Sequence, residues 1–310
     1  MLSSGALAGI GNTPLVELVH VVPEGSGRVM VKLEFANPTG SMKDRMACAA
    51  VEAAARDGRL MRGDTVVEYT AGTTGISLAF VCAALGYGLH IVFSDAFSIE
   101  KGRTMRAYGA IVEEIPSDAG QITESLIKSM IARAGEVAAE SGNWYCDQLN
   151  NHDAIAGYLP LGEEIWTQTA GRVDAFVHVV GTAHSIHGAA AAIRACGAAL
   201  HVTAVEPAES PVLSGGPTGS NKIEGIGIGF IPPLWEPHLV DEIQTVTAPE
   251  AMAMARRLAR EEGLFAGTSS GANVVAALRV AKQLGPDATV VTILCDSGFR
   301  YLSTELYNAI

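Results

Sequence analysis

One lysine lies where a protein would place a reactive amine. Lys43 follows the polar turn 37–42, which contains Pro38 and Gly40, and Ser41 is the predicted N-cap of the helix that Lys43 enters. A cation in the first turn of a helix opposes the helix dipole, so we expect a lowered pKa for this amine. The neutral amine is the form that condenses with a carbonyl group to give a Schiff base. A solvent-facing lysine in an ordinary capped helix is the alternative, and this loop alone favours it.

Two other loops, each between a predicted strand and a predicted helix, are rich in small and hydroxyl-bearing residues. The first comprises Thr70, Ala71, Gly72, Thr73, Thr74 and Gly75, and the second comprises Gly181, Thr182, Ala183, His184 and Ser185. Successive N–H groups at a helix start bind anions, so we predict a carboxylate site in the first loop and a phosphate site in the second. His184 could add positive charge, although such a histidine is more often structural. Ordinary strand–helix turns remain the alternative.

A fourth loop, residues 295–298, follows the last predicted strand and contains Ser297. A hydroxyl group there can bond to a ring nitrogen without forcing its protonation, whereas the alternative role is the N-cap of a final helix. The four loops together supply an amine, a carboxylate site, a phosphate site and a partner for a ring nitrogen. This set is what pyridoxal 5'-phosphate (PLP) requires to act on an amino acid, so the sequence predicts PLP as cofactor.

The elements that must position these loops alternate along the chain. Short β-branched runs follow Ala-rich stretches of helical length, which predicts βαβ units and mainly parallel sheets. The predicted strands are 29–34, 65–69, 89–94, 111–114, 175–180, 200–205 and 289–294. The predicted helices are 43–57, 75–85, 100–108, 121–140, 154–167, 186–196, 248–262 and 271–283. Open α/β sheets bind ligands beyond the carboxyl ends of their strands, and the loops that follow strands 65–69, 175–180 and 289–294 begin there.

The composition excludes several classes of partner. The 310 residues carry a net charge of -12, which opposes binding to nucleic acid or to anionic lipid. The five cysteines lie far apart without a CxxC spacing, which argues against a metal site or a disulfide framework and for reduced thiols in the cytoplasm. The N-terminus lacks the features of a signal peptide, and the longest apolar stretch, 79–93, is too short to span a membrane.

Six motifs resemble those of the β-family (fold type II) PLP enzymes, specifically cysteine synthase (O-acetylserine sulfhydrylase) and cystathionine β-synthase. They lie, in chain order, at 11–15 (Gly-Asn-Thr-Pro-Leu), 32–45, 148–151, 222–232, 267–272 and 297–304. The resemblance implies an α/β fold of two open, mainly parallel twisted-sheet domains with helices on both faces, similar to the tryptophan synthase β-subunit. It implies a smaller, mobile N-terminal domain, 37–155, and a larger cofactor-binding domain formed by 1–36 and 156–310. It also implies a homodimer.

The same resemblance assigns roles to individual residues. The implied cofactor contacts are Lys43, Thr73, Gly181, Thr182, Ala183, His184, Ser185 and Ser297. The implied substrate contacts are Thr70, Ala71, Gly72, Thr73, Thr74, Gln148 and Gly225. Lys43 would carry PLP as a Schiff base and remove the α-proton of an O-activated serine or a similar donor. Loss of the leaving group would give an aminoacrylate intermediate, to which a small nucleophile adds, and Ser297 would keep the ring nitrogen neutral.

The chain departs from the family pattern in two of these loops. The family usually has Thr-Ser-Gly-Asn-Thr-Gly at 70–75, so Ala71 lacks a hydroxyl near the substrate and Thr73 replaces an Asn that reaches the phenolic oxygen of the cofactor. Ala183 and His184 replace two glycines of the usual Gly-Thr-Gly-Gly-Thr phosphate loop. The main prediction is a β-replacement synthase of amino-acid biosynthesis. The alternatives are a PLP-dependent lyase or dehydratase, a specialised synthase of β-substituted alanines in secondary metabolism, and a non-catalytic binding module, against which Lys43 argues.

Overall fold

The computed structural model describes residues 5–308, which form ten strands and nine α-helices. The strands are β1 (Leu15–Glu17), β2 (Arg28–Leu33), β3 (Thr65–Tyr69), β4 (Gly88–Ser94), β5 (Ile111–Ile115), β6 (Asn143–Tyr145), β7 (Ala175–Val179), β8 (His201–Pro207), β9 (Glu242–Val246) and β10 (Thr289–Leu294). The helices are α1 (Lys43–Asp57), α2 (Thr73–Leu85), α3 (Ile99–Ala107), α4 (Glu124–Ala138), α5 (Asp153–Ala156), α6 (Leu159–Gln168), α7 (His184–Ala195), α8 (Ala248–Glu261) and α9 (Thr268–Leu284).

The strands form two sheets. The larger sheet has the order β1-β2-β10-β7-β8-β9, and every neighbouring pair is parallel except β1 and β2. The smaller sheet has the order β5-β4-β3-β6 and is parallel throughout. The predicted α/β class with mainly parallel sheets is therefore confirmed, and the non-consecutive strand order places helical crossovers on the sheet faces.

Each sheet has its own apolar core. All residues of β7 and β10 are buried, as expected for central strands that helices cover on both faces. A second core surrounds the smaller sheet and includes Val66, Ile91 and Met105. Leu7 packs into this second core, which differs from the predicted assignment of residues 1–36 to the larger domain. Within residues 5–308, no helix combines the length and the apolar character needed to cross a membrane.

The element predictions fail mainly where segments are short. Strands β1 and β6 have three residues each, too few to show a two-residue period, and β9 is partly polar. The single helix predicted for 154–167 is two helices, α5 and α6. Gly157 lies between them against the backbone of α1, where a Cβ atom would collide with the carbonyl oxygen of Arg45, and Pro160 lies in the first turn of α6. After Ser297 the chain forms a 3₁₀ turn, Gly298–Tyr301, instead of the α-helix considered in the sequence.

Candidate active site

Lys43 is the first residue of α1, and its loop is bonded to the end of β10. The N–H group of Met42 donates to the carbonyl oxygen of Cys295 (2.9 Å), and the backbones of Ser41 and Asp296 form an antiparallel bridge. The N-cap residue is Met42, one position later than predicted, and the Ser41 hydroxyl accepts from the Lys43 N–H group at 3.1 Å. Non-local backbone contacts therefore set the position of Lys43.

The environment of Lys43 favours its neutral amine. Burial lowers the pKa of Lys43, and this effect exceeds the opposing influence of Cys295 and Asp296. Asp296 is itself buried, which raises the pKa of its carboxyl group, and it accepts a hydrogen bond from the Tyr301 hydroxyl at 2.6 Å. The direction of the Lys43 shift agrees with the sequence-based expectation, although desolvation causes it and the helix dipole need not be invoked.

A buried ionic network holds the first turn of α1. The guanidinium group of Arg45 donates to Glu34 (2.7 and 2.9 Å) and to Glu164 (both distances 2.8 Å). Lys32 on β2 joins the network through Glu164 at 2.7 Å, and these ion pairs hold the pKa of Glu164 near 2. Since Arg45 is two residues from Lys43, the network fixes the helix that presents the reactive amine.

The predicted carboxylate loop begins α2. The Thr70 hydroxyl accepts from the N–H groups of Gly72 (2.9 Å) and Gly75 (3.2 Å) and so shapes the turn from inside. Gly72 has a φ of 115°, and the side chain of Lys101 occupies the space that a Cβ atom would need. The N–H groups of Thr73 and Thr74 open the helix and have no partner within it. This loop can therefore present two backbone donors to an anion.

Gln148 lies beside the carboxylate loop and is tied to it. Its side-chain oxygen accepts from the Thr74 hydroxyl at 2.8 Å, and its amide nitrogen donates to the carbonyl oxygen of Tyr69 at 2.8 Å. Its own N–H group donates to the buried Glu68 at 2.8 Å. Ala71, Thr73, Thr74 and Gln148 line one cleft with Lys43. The tertiary structure thus brings these predicted substrate residues together, with Gly72 behind the loop.

The predicted phosphate loop lines a second cavity, which meets the cleft at Lys43. Gly181, Thr182 and Ser185 line this cavity. Gly181 leaves room only for hydrogen, because a Cβ atom there would collide with the carbonyl oxygen of Gly225. Gly225 lines both the cleft and the cavity. The close approach of these two backbones closes the cavity around the start of α7.

Two residues of this loop do not line the cavity. Ala183 is the N-cap of α7 and has a φ of 70°, a left-handed conformation that is strained for alanine. His184 is buried, its Nδ1 lies 2.8 Å from the Thr182 hydroxyl, and its Nε2 faces the backbone of Asn151 without a hydrogen bond of normal geometry. Burial lowers the pKa of His184 to about 3. Its imidazole is therefore uncharged at neutral pH, and the expectation that it adds positive charge is wrong.

Replacing Ala183 with glycine is expected to raise the free energy of unfolding of the apoprotein by about 1 kcal/mol. Glycine removes the left-handed strain, which costs an alanine roughly 1–2 kcal/mol, and part of the gain is lost to the flexibility of glycine in the unfolded chain. The exposed Ala191 in α7 is a matched control, since Ala191→Gly should destabilise by about 1 kcal/mol. Urea unfolding measures both variants. A destabilised Ala183→Gly variant would show that this position is not strained.

The loop 295–298 differs most from its predicted role, which was to place Ser297 against the ring nitrogen. Ser297 does not line the cavity: its hydroxyl accepts from the Phe299 N–H group at 3.3 Å, and its backbone bridges Ala266. Ser269, in the first turn of α9, lines the cavity in its place. The motif 267–272 was the signal for this residue, but the spacing did not show which hydroxyl would face the cavity.

The sequence also missed an ion pair at the cleft. Lys101 on α3, 1% exposed, donates to the carboxylate of Glu224, and its ammonium lies 4.8 Å from the centre of the Tyr301 ring. Glu224 lines both the cleft and the cavity. The ion pair therefore connects α3, on the side of the smaller sheet, to the segment 222–232 on the other side of the cleft. Only the motif around Glu224 marked this region in the sequence.

The cavity and the cleft fit PLP and an amino acid. Lys43, whose pKa is lowered by burial, lies where the cavity and the cleft meet. The start of α7, with Gly181 packed too closely for a Cβ atom, closes one part of the cavity, and the Ser269 hydroxyl lines it. The adjoining cleft is lined by residues of the second helix start. This arrangement defines a PLP-dependent enzyme that acts on an amino acid.

Comparisons with known proteins agree with this class. The chain belongs to the family described as "Pyridoxal-phosphate dependent enzyme", whose model matches residues 6–296. It is 42% identical to a cysteine synthase of Staphylococcus aureus over 96% of this chain and 95% of that protein. The structure is similar to a cysteine synthase from Entamoeba histolytica (TM-score 0.92, 35% identity, 99% and 91% of the two chains). It is also similar to an O-ureido-L-serine synthase (TM-score 0.93, 35% identity, 100% and 96%).

These comparisons confirm the predicted cofactor and reaction class. The protein is a PLP-dependent enzyme of the transferase type that catalyses β-replacement, as the resemblance to cysteine synthase implied. The relatives share the fold along nearly the whole chain, so the departures at Ala71, Thr73, Ala183 and His184 are local changes within a shared architecture.

Proposed function

We propose that the protein replaces the β-substituent of an O-activated serine, such as O-acetylserine, with a small nucleophile. The observation that carries this proposal is the position of Lys43, whose amine lines both the cofactor cavity and the substrate cleft and has a pKa lowered by burial. An amine in this position can hold the cofactor and also reach the α-carbon of a bound amino acid. The curated cysteine synthase relative supports the choice of donor class.

The residues divide the work between the cofactor and the substrate. Bound PLP supplies an aldehyde for covalent attachment and a ring that withdraws electrons from the α-carbon. Lys43 holds the aldehyde and, once free and neutral, removes the α-proton at Nζ. The N–H groups of residues 181–185 would hold the phosphate at the start of α7, and the Ser269 hydroxyl would bond to the ring nitrogen. Thr73 lies where the cavity meets the cleft.

The start of α2 positions the substrate. The N–H groups of Thr73 and Thr74 bind the α-carboxylate, and Gln148 holds the Thr74 hydroxyl in place. Further out, the cleft is lined by the apolar side chains of Phe97, Ile122 and Ile228. An apolar lining of this kind would limit the access of water to the bound substrate, which supports replacement over the lyase alternative.

The function is tested by supplying the PLP-loaded protein with O-acetylserine, O-phosphoserine, serine or cysteine, each with and without sulfide. We expect at least one O-activated serine to be converted to cysteine when sulfide is present, with little pyruvate formed. Chromatography of the amino-acid products and a pyruvate assay separate replacement from elimination. Equal pyruvate formation with and without sulfide would favour the lyase alternative instead.

Two serines compete for the ring nitrogen, and their aspartate variants distinguish them. Ser269→Asp is expected to protonate the ring, change the visible spectrum of the bound cofactor and lower β-replacement roughly tenfold or more, because a charged partner stabilises the protonated nitrogen. Ser297→Asp is the matched control and should retain the spectrum, since its hydroxyl bonds Phe299. Spectra and product ratios, including transamination products, are measured for both. The opposite pattern would return the role to Ser297.

We also propose that the protein works as a homodimer in the cytoplasm, as the resemblance implies. The buried thiols of Cys82, Cys146 and Cys295 support a reducing compartment, because they lie in the protein interior without disulfides. Light scattering at several protein concentrations measures the oligomeric state, and a monomer at all concentrations would reject the dimer.

A further inference from the structure

A buried histidine lies behind the phosphate loop and has no role in the function proposed so far. His178 is on β7, is 1% exposed, and lines the cofactor cavity. Its Nε2 lies 2.8 Å from the hydroxyl of Ser185 in the first turn of α7. Its Nδ1 lies 3.2 Å from the side-chain nitrogen of Asn273, which is on α9 and fully buried. The consecutive elements β7 and α7 therefore meet the distant helix α9 in one chain of hydrogen bonds.

The backbone determines the orientation of the Asn273 amide. Its oxygen accepts from the Val179 N–H group at 2.7 Å, and its nitrogen donates to the carbonyl oxygen of Ile293 at 2.7 Å. In a flipped amide the nitrogen would face the Val179 N–H donor and the oxygen would face the carbonyl oxygen of Ile293, so only the present orientation satisfies both groups. The second hydrogen of the Asn273 nitrogen has two acceptors in range, Nδ1 of His178 at 3.2 Å and Sγ of Cys295 at 3.4 Å. Because sulfur is the weaker acceptor, this hydrogen bond is assigned to Nδ1 of His178.

The orientation of Asn273 determines the proton on His178. Because Nδ1 accepts, the neutral imidazole carries its hydrogen on Nε2, and Nε2 donates to the Ser185 hydroxyl oxygen. Burial lowers the pKa of His178 to about 3, so the ring stays neutral throughout the physiological range. Ser185 thus accepts from His178, and its own hydrogen must point elsewhere.

We propose that His178 is a positioning residue, which directs the Ser185 hydroxyl hydrogen into the cavity as a donor to the phosphate group of PLP. Ser185 lines that cavity beside Gly181 and Thr182. A serine hydroxyl normally rotates between donor and acceptor roles, whereas a phosphate dianion offers only acceptors. Holding the oxygen from behind removes the unproductive rotamers before the cofactor arrives. The proposal rests on the placement of the phosphate at residues 181–185.

The test measures binding of PLP and of pyridoxal, which lacks the phosphate, to the apoprotein. Ser185→Ala and His178→Leu are each expected to weaken PLP binding roughly ten- to hundred-fold, the range for a lost hydrogen bond to a charged group. Pyridoxal binding should change little in either variant. His178→Gln should retain most of the affinity for PLP, because its amide can donate to Ser185 and accept from Asn273. Visible absorption titration gives the dissociation constants without any turnover.

A double variant shows whether His178 acts through Ser185. In the Ser185→Ala background, His178→Leu should weaken PLP binding by less than about threefold further, since no hydroxyl remains to be oriented. An undiminished effect in that background, or an equal loss of PLP and pyridoxal binding, would mean that His178 only supports the fold. If His178→Leu does not fold, nitrogen-resolved NMR of histidine-labelled wild-type protein decides, and a hydrogen on Nδ1 of His178 overturns the proposal. The outcome is independent of which donor the enzyme uses, so it can fail while the proposed reaction stands.

Discussion

Replacing Lys43 with alanine is expected to abolish covalent attachment of PLP and to lower β-replacement at least about 10³-fold. Removal of one general base costs roughly 10²–10⁴-fold, and this variant also loses the group that holds the aldehyde. Borohydride reduction of the PLP-loaded wild-type protein, followed by peptide mapping, should label Lys43 alone. The variant should incorporate no label and should still bind PLP non-covalently through the phosphate loop.

Two other lysines make this experiment specific. Lys101 also lines the cleft, but its ammonium is engaged by Glu224, and Lys128 is 65% exposed on α4 and paired with Glu124. Lys128→Ala should retain the label and the activity of the parent. A label on Lys101 in the wild-type protein, or an active Lys43→Ala variant, would remove Lys43 from the proposed site.

The second large effect is expected in the carboxylate loop. The double variant Ala71→Ser, Thr73→Asn should raise kcat/KM with O-acetylserine and sulfide roughly ten- to hundred-fold. Thr73 lines both the cavity and the cleft, and the resemblance implies that the family's Asn at this position reaches the phenolic oxygen of the cofactor, so an Asn there would supply the missing amide donor. A hydrogen bond to a charged group contributes about 1.5–3 kcal/mol, which corresponds to this change in rate if the bond forms in the transition state. The Ala71→Ser change restores a hydroxyl beside the substrate.

The matched control makes the same chemical changes away from the cleft. Ala139 and Thr167 are exposed, and Ala139→Ser, Thr167→Asn should leave kcat/KM unchanged. Steady-state kinetics of the parent and both double variants are compared at several sulfide concentrations. If the parent already turns over O-acetylserine at typical enzyme rates and the loop variant gains nothing, the chain is an ordinary cysteine synthase, and the specialised alternative fails. A gain would show that the parent loop is adapted to another donor or acceptor.

Most elements of the fold could be predicted because their signals are local. The bounds of α1, β3 and β10 were predicted to the residue, since each is a long apolar or Ala-rich run between turn residues. Strands β1 and β6 could not be predicted, because three residues carry no periodic signal and these strands exist only through pairing with a neighbour. The break between α5 and α6 depends on how closely Gly157 approaches α1, which is a tertiary contact.

The residues of the site also divide into those that local sequence patterns predict and those that tertiary contacts determine. The turn that precedes Lys43 and the two helix starts are local patterns of small and hydroxyl residues, so the sequence could identify them. The partner of the ring nitrogen was different: the sequence pattern assigned this role to Ser297 alone, although Ser269 also follows a turn of suitable composition. The bridges Ser41–Asp296 and Ala266–Ser297 turn the Ser297 side chain away from the cavity, and no property of residues 295–298 alone predicts them.

The sequence by itself determined the α/β class, the cofactor, the lysine most suited to carry it and the two anion-binding loops, because each depends on residue types within a few positions. Only the tertiary structure decided the partners of those loops. His178 is simply part of a buried strand until α9 places Asn273 against it, and Lys101 is an ordinary helix lysine until Glu224, 123 residues away, meets it across the cleft. Orientation and protonation depend on neighbours that are distant in the chain, and packing alone determines which neighbours those are.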